Sequence, residues 1–97
     1  MNEDMRFGQA LDELLCGNKI ARRGWNGQKQ HHRWYMFLYL VPGSVFQVNR
    51  PPLLGIYPDG TEITYRPHID MKTVDGSCVP WVASQTDILA DDWYVVR

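Results

Sequence analysis

His68-Ile69-Asp70-Met71-Lys72-Thr73, the turn pair Asp75-Gly76 and Ser77-Cys78-Val79-Pro80-Trp81-Val82 read in order as strand, tight turn and returning strand. Apolar and polar residues alternate along the first arm, which places one row of side chains on each face of a sheet, and the Asp-Gly pair supplies the turn. Pro80 cannot donate to a ladder, so its arm belongs at an edge or a bulge. Just upstream, Leu53-Leu54-Gly55-Ile56-Tyr57, Pro58-Asp59-Gly60 and Thr61-Glu62-Ile63-Thr64-Tyr65 repeat the form and predict a second hairpin. Hairpins join antiparallel strands, so the fold class turns on the elements around them.

Toward the N-terminus, Phe7, Ala10, Leu11, Leu14 and Leu15 recur at spacings of three and four and draw one apolar stripe on an amphipathic helix, which Gly17 ends. Lys19-Ile20-Ala21-Arg22 reads as a brief strand leading into a Gly24-Trp25-Asn26-Gly27 loop, followed by a polar solvated loop over residues 28–33. The run from Trp34 to Val41 is apolar and aromatic, as a central strand covered on both faces would be, and Pro42-Gly43 closes it. Residues 44–52 read as an irregular connection in which Val45-Phe46-Gln47-Val48 can pair briefly at an edge. Ser84 and Thr86 are candidate caps for a short helix at Asp87-Ile88-Leu89-Ala90, and Trp93-Tyr94-Val95-Val96 is a last strand. These elements define an α+β fold: an antiparallel sheet of five or six strands, an N-terminal amphipathic helix and a short second helix near the C-terminus.

A chain of 97 residues holds one domain, spanning 1–97, with a core that is marginal on its own. Its composition, 44% hydrophobic and 22% charged with a net charge of -1, lacks the basic footprint of a protein that binds long nucleic acid. No stretch reaches the roughly 20 apolar residues that span a bilayer, and Met1-Asn2-Glu3-Asp4 lacks the order of a signal peptide, so the expected location is cytosolic. There Cys16 and Cys78 are expected to stay reduced as buried free thiols, without the partners of an activated nucleophile.

No chemistry of catalysis stands out. His31 and His32 are adjacent and diverge, His68 stands alone, and neither a phosphate loop nor a nucleophile elbow is present, so neither metal nor cofactor is expected. Two segments instead combine an indole with small hydrogen-bonding groups: Arg23-Gly24-Trp25-Asn26-Gly27, and Pro80-Trp81-Val82-Ala83-Ser84-Gln85-Thr86-Asp87. Asn26, Ser84, Gln85 and Thr86 match ribose hydroxyls and base edges, and a guanidinium clamps phosphate. Arg22 and Arg23 point opposite ways on a strand, and Arg23, nearer the loop, is the favoured one. Capping and turn chemistry accounts equally for Ser84 and Thr86, and core packing for Trp25. Trp34 and Trp93, in strand patterns, are expected to pack.

Phe7-Gly8-Gln9-Ala10-Leu11, Ala21-Arg22-Arg23-Gly24-Trp25-Asn26-Gly27, Met71-Lys72, Asp75-Gly76, Val79-Pro80-Trp81, Ser84-Gln85-Thr86-Asp87 and Leu89-Ala90-Asp91-Asp92-Trp93, in this order, resemble the Thoeris anti-defence 2 family over nearly the whole chain. The resemblance implies a bacteriophage sponge in the cytoplasm of the infected bacterial host. Such a protein holds a cyclic ADP-ribose-type messenger without cleaving it, with cyclic di- or trinucleotides as further ligands at a separate place. It also implies a homotetramer with pockets between protomers. Carried onto this chain, the ligand-binding set is Trp25, Asn26, Ser84, Gln85, Thr86 and Asp87, with Phe7 and Met71 as lesser members. Arg6 departs from the small hydroxyl residue that often precedes Phe-Gly. Two alternatives stay open: an enzyme hydrolysing the same signal with Asp87 or Asp70 as base, and a phage protein-interaction module whose tryptophans are partner contacts.

Overall fold

A computed structural model of the protein describes residues 4–26 and 35–97. The first helix, α1, runs Phe7–Leu15 and buries Ala10 and Leu14, two members of the stripe seen in the sequence. The Gln9 side chain reaches back to accept from the Arg6 amide, so the helix starts at Phe7 without a hydroxyl cap. At the other end Gly17, at φ 96°, takes the left-handed turn that lets the Gly17 and Asn18 amides bond back to Leu14 and Glu13.

The strands of the main sheet are β1 (Lys19–Arg22), β2 (Phe37–Val41), β5 (His68–Lys72), β6 (Cys78–Pro80) and β7 (Trp93–Val96), in the order β6-β5-β2-β1-β7. Every pairing is antiparallel. The fold is therefore α+β as expected, with the aromatic strand central and Pro80 on an edge strand, where its missing N–H does no harm. One face of the sheet carries Ile20, Leu38, Trp93 and Val95, which form the main core with Met5, Ala10 and Leu14. The opposite face carries a smaller cluster of Ala21, Tyr94 and Val96.

Four expectations are corrected. Leu53–Tyr57 is not a strand: Leu53–Gly55 is a 3-10 turn in which Leu54 bonds Arg50, and Ile56 and Tyr57 both bond Leu53. Local carbonyls consume the amides a ladder would need, and the apolar side chains that suggested a strand stay in solvent, Ile56 at 67% exposure. The hairpin partner of β4 (Glu62–Tyr65) is instead β3 (Ser44–Gln47), where the sequence allowed a brief edge pairing over residues 45–48, and the two make a separate two-stranded sheet. Arg23–Asn26, read as a loop, is one helical turn, α2, and the later helix, α3, is Gln85–Ile88 rather than 87–90. Finally, Cys16 and Cys78 are free but exposed, not buried, because each faces away from the residues that fill the core. The expectations on Trp34 and on the 28–33 loop fall outside the described residues, as do Gly27, His31 and His32.

Candidate functional site

The two segments singled out in the sequence meet at Trp93, which is fully buried at the start of β7. From one side Trp25 packs its ring edge-on against the Trp93 ring, 5.2 Å between centroids. From the other, the Trp93 indole N–H donates to the Asp87 carbonyl at 2.9 Å, and Trp81 lies 6.2 Å away, nearly perpendicular. Phe7 tilts against both Trp93 and Trp81, at 5.3 and 6.0 Å. Met71 packs at the border of the same core from β5, opposite Leu38 and Val79. Trp25 is half-buried and touches both core clusters, so it has a packing role whatever else it does.

Arg22 ties the segments together electrostatically. It stands in register with Trp93 and projects on the helix side of the sheet. Its Nε donates to Asp92 Oδ1 at 2.8 Å and its Nη1 to Asp87 Oδ1 at 2.7 Å. Asp92 in turn accepts the Gly24 amide on Oδ2 at 3.0 Å, and the Asp92 carbonyl takes the Arg23 amide. A carboxylate from a distant stretch thus caps α2, which is why no local signal announced that turn. Burial pushes the Asp92 carboxyl up, but the bonds from Arg22 and the Gly24 amide outweigh it and hold the group below the usual carboxylate range. Asp92, foremost, and Asp87 hold the Arg22 guanidinium above its already high range.

Arg23, the cation favoured from sequence, lies on the other side: it pairs with Asp4 at 2.9 Å and covers the Tyr94 ring. Asn26 is held at both ends of its amide. Its Nδ2 donates to the Met36 carbonyl and to Tyr94 Oη, and its Oδ1 accepts the Met36 amide, so it clips α2 to the entrance of β2. Ser84 caps α3, its Oγ accepting the Asp87 amide at 3.0 Å, while Gln85 and Thr86 are exposed on the first turn. The convergence therefore brings together Trp25, Trp81, Phe7, Asp87 and the start of α3, and leaves Arg23 on the opposite face. Sequence reasoning passed over Arg22, Asp92 and Trp93 as site members. The register signal was available, since Arg22 follows core residue Ile20 by two positions, but the partner carboxylates were not.

Asp70, the other candidate base, is on the far face, because its neighbours Ile69 and Met71 are the ones that pack into the main core. Its Oδ1 is buried without a hydrogen bond, with His68 Nε2 at 3.6 Å, and Asp70 and Asp87 do not converge as a catalytic pair would. Among the described residues no group of three His, Cys, Asp or Glu is arranged to hold a metal ion, and no helix is long and apolar enough to cross a membrane.

A separate open pocket of about 1120 Å³ lies between the β3–β4 arm and the Asn49–Leu53 loop, which contains the cis Pro51–Pro52 bond. Phe46 and Tyr65 stack on its wall, 5.3 Å apart and 11° from parallel, beside Arg50, Asn49, Gln47 and Ser44. Arg50 makes no ion pair among the described residues.

The chain matches the family model of the Thoeris anti-defense 2-like domain over residues 5–96 and belongs to that family. Among individual proteins it is similar to Thoeris anti-defense 2 of Bacillus phage SP01, with 36% identity over 96 residues that cover 99% of each chain.

Proposed function

We propose that this protein is a sponge: it captures a cyclic ADP-ribose-type signalling nucleotide and holds it intact, in the cytoplasm of an infected bacterium. Family membership supports a phage anti-defence role directed at Thoeris. The observation that carries the mechanism is the meeting of the α2 turn and the start of α3 around Trp93, which sets an indole, a carboxylate and exposed amide and hydroxyl groups side by side. In this reading Trp25 and Trp81 face the base and Ser84, Gln85 and Thr86 reach the ribose hydroxyls. Asp87 accepts through Oδ2, Asn26 holds the α2 turn in place, and Phe7 and Met71 back the aromatic wall. Phosphate is met by main-chain amides at the start of α3.

Sequestering a scarce messenger demands tight binding: a dissociation constant of about 1 nM corresponds to about -12.3 kcal/mol, which a small ligand reaches only in a preformed site. Large apolar side chains left in solvent, Val82 at 87% and Leu89 at 80% among them, favour assembly into a homotetramer that supplies further walls. The Phe46–Tyr65 stack beside Arg50 suits the cyclic di- or trinucleotide ligands, since a base can stack and a guanidinium can hold phosphate.

Calorimetry against a panel of cyclic ADP-ribose isomers and cyclic oligonucleotides tests binding, and heat-release of a saturated complex tests fate. Intact messenger emerging from the denatured protein supports capture. A cleaved product turns the reading to a hydrolase, and the absence of heat with every ligand turns it to a partner-binding module.

A further inference from the structure

We propose that Arg22 is a positioning residue of the candidate site: by holding Asp92 and Asp87 on one guanidinium, it sets the separation between the Trp25 turn and the Ser84-capped helix. This rests on the capture reading for its functional consequence, and on geometry alone for its structural one.

Three observations carry it. Arg22 links the two segments, with Nη1 on Asp87 of the second and Nε on Asp92, the carboxylate that holds the first through the Gly24 amide, while its side chain is only 17% exposed. Each carboxylate residue is tied to one segment: Asp92 Oδ2 takes the Gly24 amide in the α2 turn, and Asp87 lies in α3, its own amide capped by Ser84 Oγ. The two segments are otherwise joined through Trp93, whose indole meets the Trp25 ring and the Asp87 carbonyl. A planar fork with fixed donor directions holds two carboxylates at a set angle and distance, whereas a lysine ammonium offers a compact charge on a flexible stem. Arg22 thus differs in role from a phosphate clamp: its Nε and Nη1 donate to Asp92 and Asp87, so it acts on the ligand through the segments it spaces.

Arg22→Lys and Asp92→Asn separate this role from direct contact and from bulk stability. Stopped-flow tryptophan fluorescence with cyclic ADP-ribose and its cyclic isomers gives kon and koff, and amide hydrogen exchange reads Gly24 and Asp87 against Ile20 and Leu38 in the sheet. If the competent spacing becomes a minority state in R22K, kon falls about tenfold in proportion to that population, with koff within about twofold. The Gly24 and Asp87 amides exchange faster while those of Ile20 and Leu38 do not. Asp92→Asn, which keeps the volume and one bond acceptor, shows the same pattern in weaker form and serves if R22K fails to fold. A rise in koff at unchanged kon would mean that Arg22 touches the ligand, and a lower Tm with both rates unchanged would mean a purely structural ion pair. Either overturns the proposal, as does unchanged exchange at Gly24 and Asp87. Should the unmodified protein bind none of the isomers, the capture reading fails by itself, and the exchange result still decides whether Arg22 sets the spacing.

Discussion

Trp25 meets Trp93 edge to face, 5.2 Å between ring centroids at an interplanar angle of 76°, so the exposed-side indole is buttressed by one that solvent never reaches. Tilted aromatic pairs of this kind add about 0.5–1.5 kcal/mol beyond the area they bury. Trp25 accordingly has a packing role beside the ligand contact proposed for it, and the two are separable. Trp25→Ala is expected to lower stability by about 2–3 kcal/mol, less than for a fully buried tryptophan, and to weaken nucleotide binding by about 1–3 kcal/mol. Trp25→Phe restores most of the stability in urea titrations while leaving the calorimetric affinity reduced. Equal recovery of both would make Trp25 a core residue alone.

Ser84 contributes the cap of a four-residue helix, too short to persist without tertiary help. Ser84→Ala should cost about 1 kcal/mol and Ser84→Asp should be near neutral, measured by chemical denaturation. No difference between the two variants would show that the cap bond to the Asp87 amide contributes nothing.

Acid should loosen the same region. Asp92 has a folded pKa depressed below its unfolded value, against the push of its own burial, by Arg22 and the Gly24 amide. Its stabilisation is therefore present in full above the unfolded pKa and is lost as pH falls through the lower folded value. Asp92→Asn is predicted to flatten this acid limb in a stability-against-pH series, and an undiminished limb would assign the loss to other carboxylates.

On the opposite face of the sheet, the Tyr39 phenol is pushed up to about 12 by its hydrogen bond to Cys78, by burial, and by the charges of Cys78 and Asp70. Because the neutral phenol is the form that the fold favours, stability falls as pH rises from the unfolded value near 10 through 12. Cys78→Ala should bring phenolate absorbance in at lower pH. A titration curve unmoved by that substitution would remove Cys78 as the cause.

Gly17 sits at φ 96°, where a Cβ meets no neighbouring atom but a side chain strains the backbone. Gly17→Ala should therefore cost about 1–2 kcal/mol through conformation alone, with thermal unfolding as the readout and D-alanine at the same position, introduced by chemical synthesis, restoring the loss. A loss that D-alanine leaves in place would point to packing instead.

Much of the fold was legible because it is encoded over short stretches. The stripe from Phe7 to Leu14, the stop at Gly17, the Asp75-Gly76 turn and the edge position of Pro80 each depend on neighbours within a few residues, and each stands in the structure as read, whereas Leu15, counted in the same stripe, is 60% exposed. Composition singled out the two distant segments and the family resemblance implied that they share a site; in the structure Trp25 and Asp87 both meet Trp93.

What local pattern could not supply were the choices made between distant residues. Leu53–Gly55 and Ser44–Gln47 are both apolar enough for a strand, and which one pairs with β4 depended on where the Leu54, Ile56 and Tyr57 amides found carbonyls. The α2 turn exists because Asp92, 68 residues away, caps the Gly24 amide, and Arg22 rather than Arg23 reaches Asp87 because register with Trp93 turns it to the helix side. Periodicity and turn chemistry act over one or two turns of chain and are written in order along it. Partner choice for a carboxylate, a guanidinium or an unpaired strand is settled only when the whole chain has collapsed and every buried polar group must find its bond.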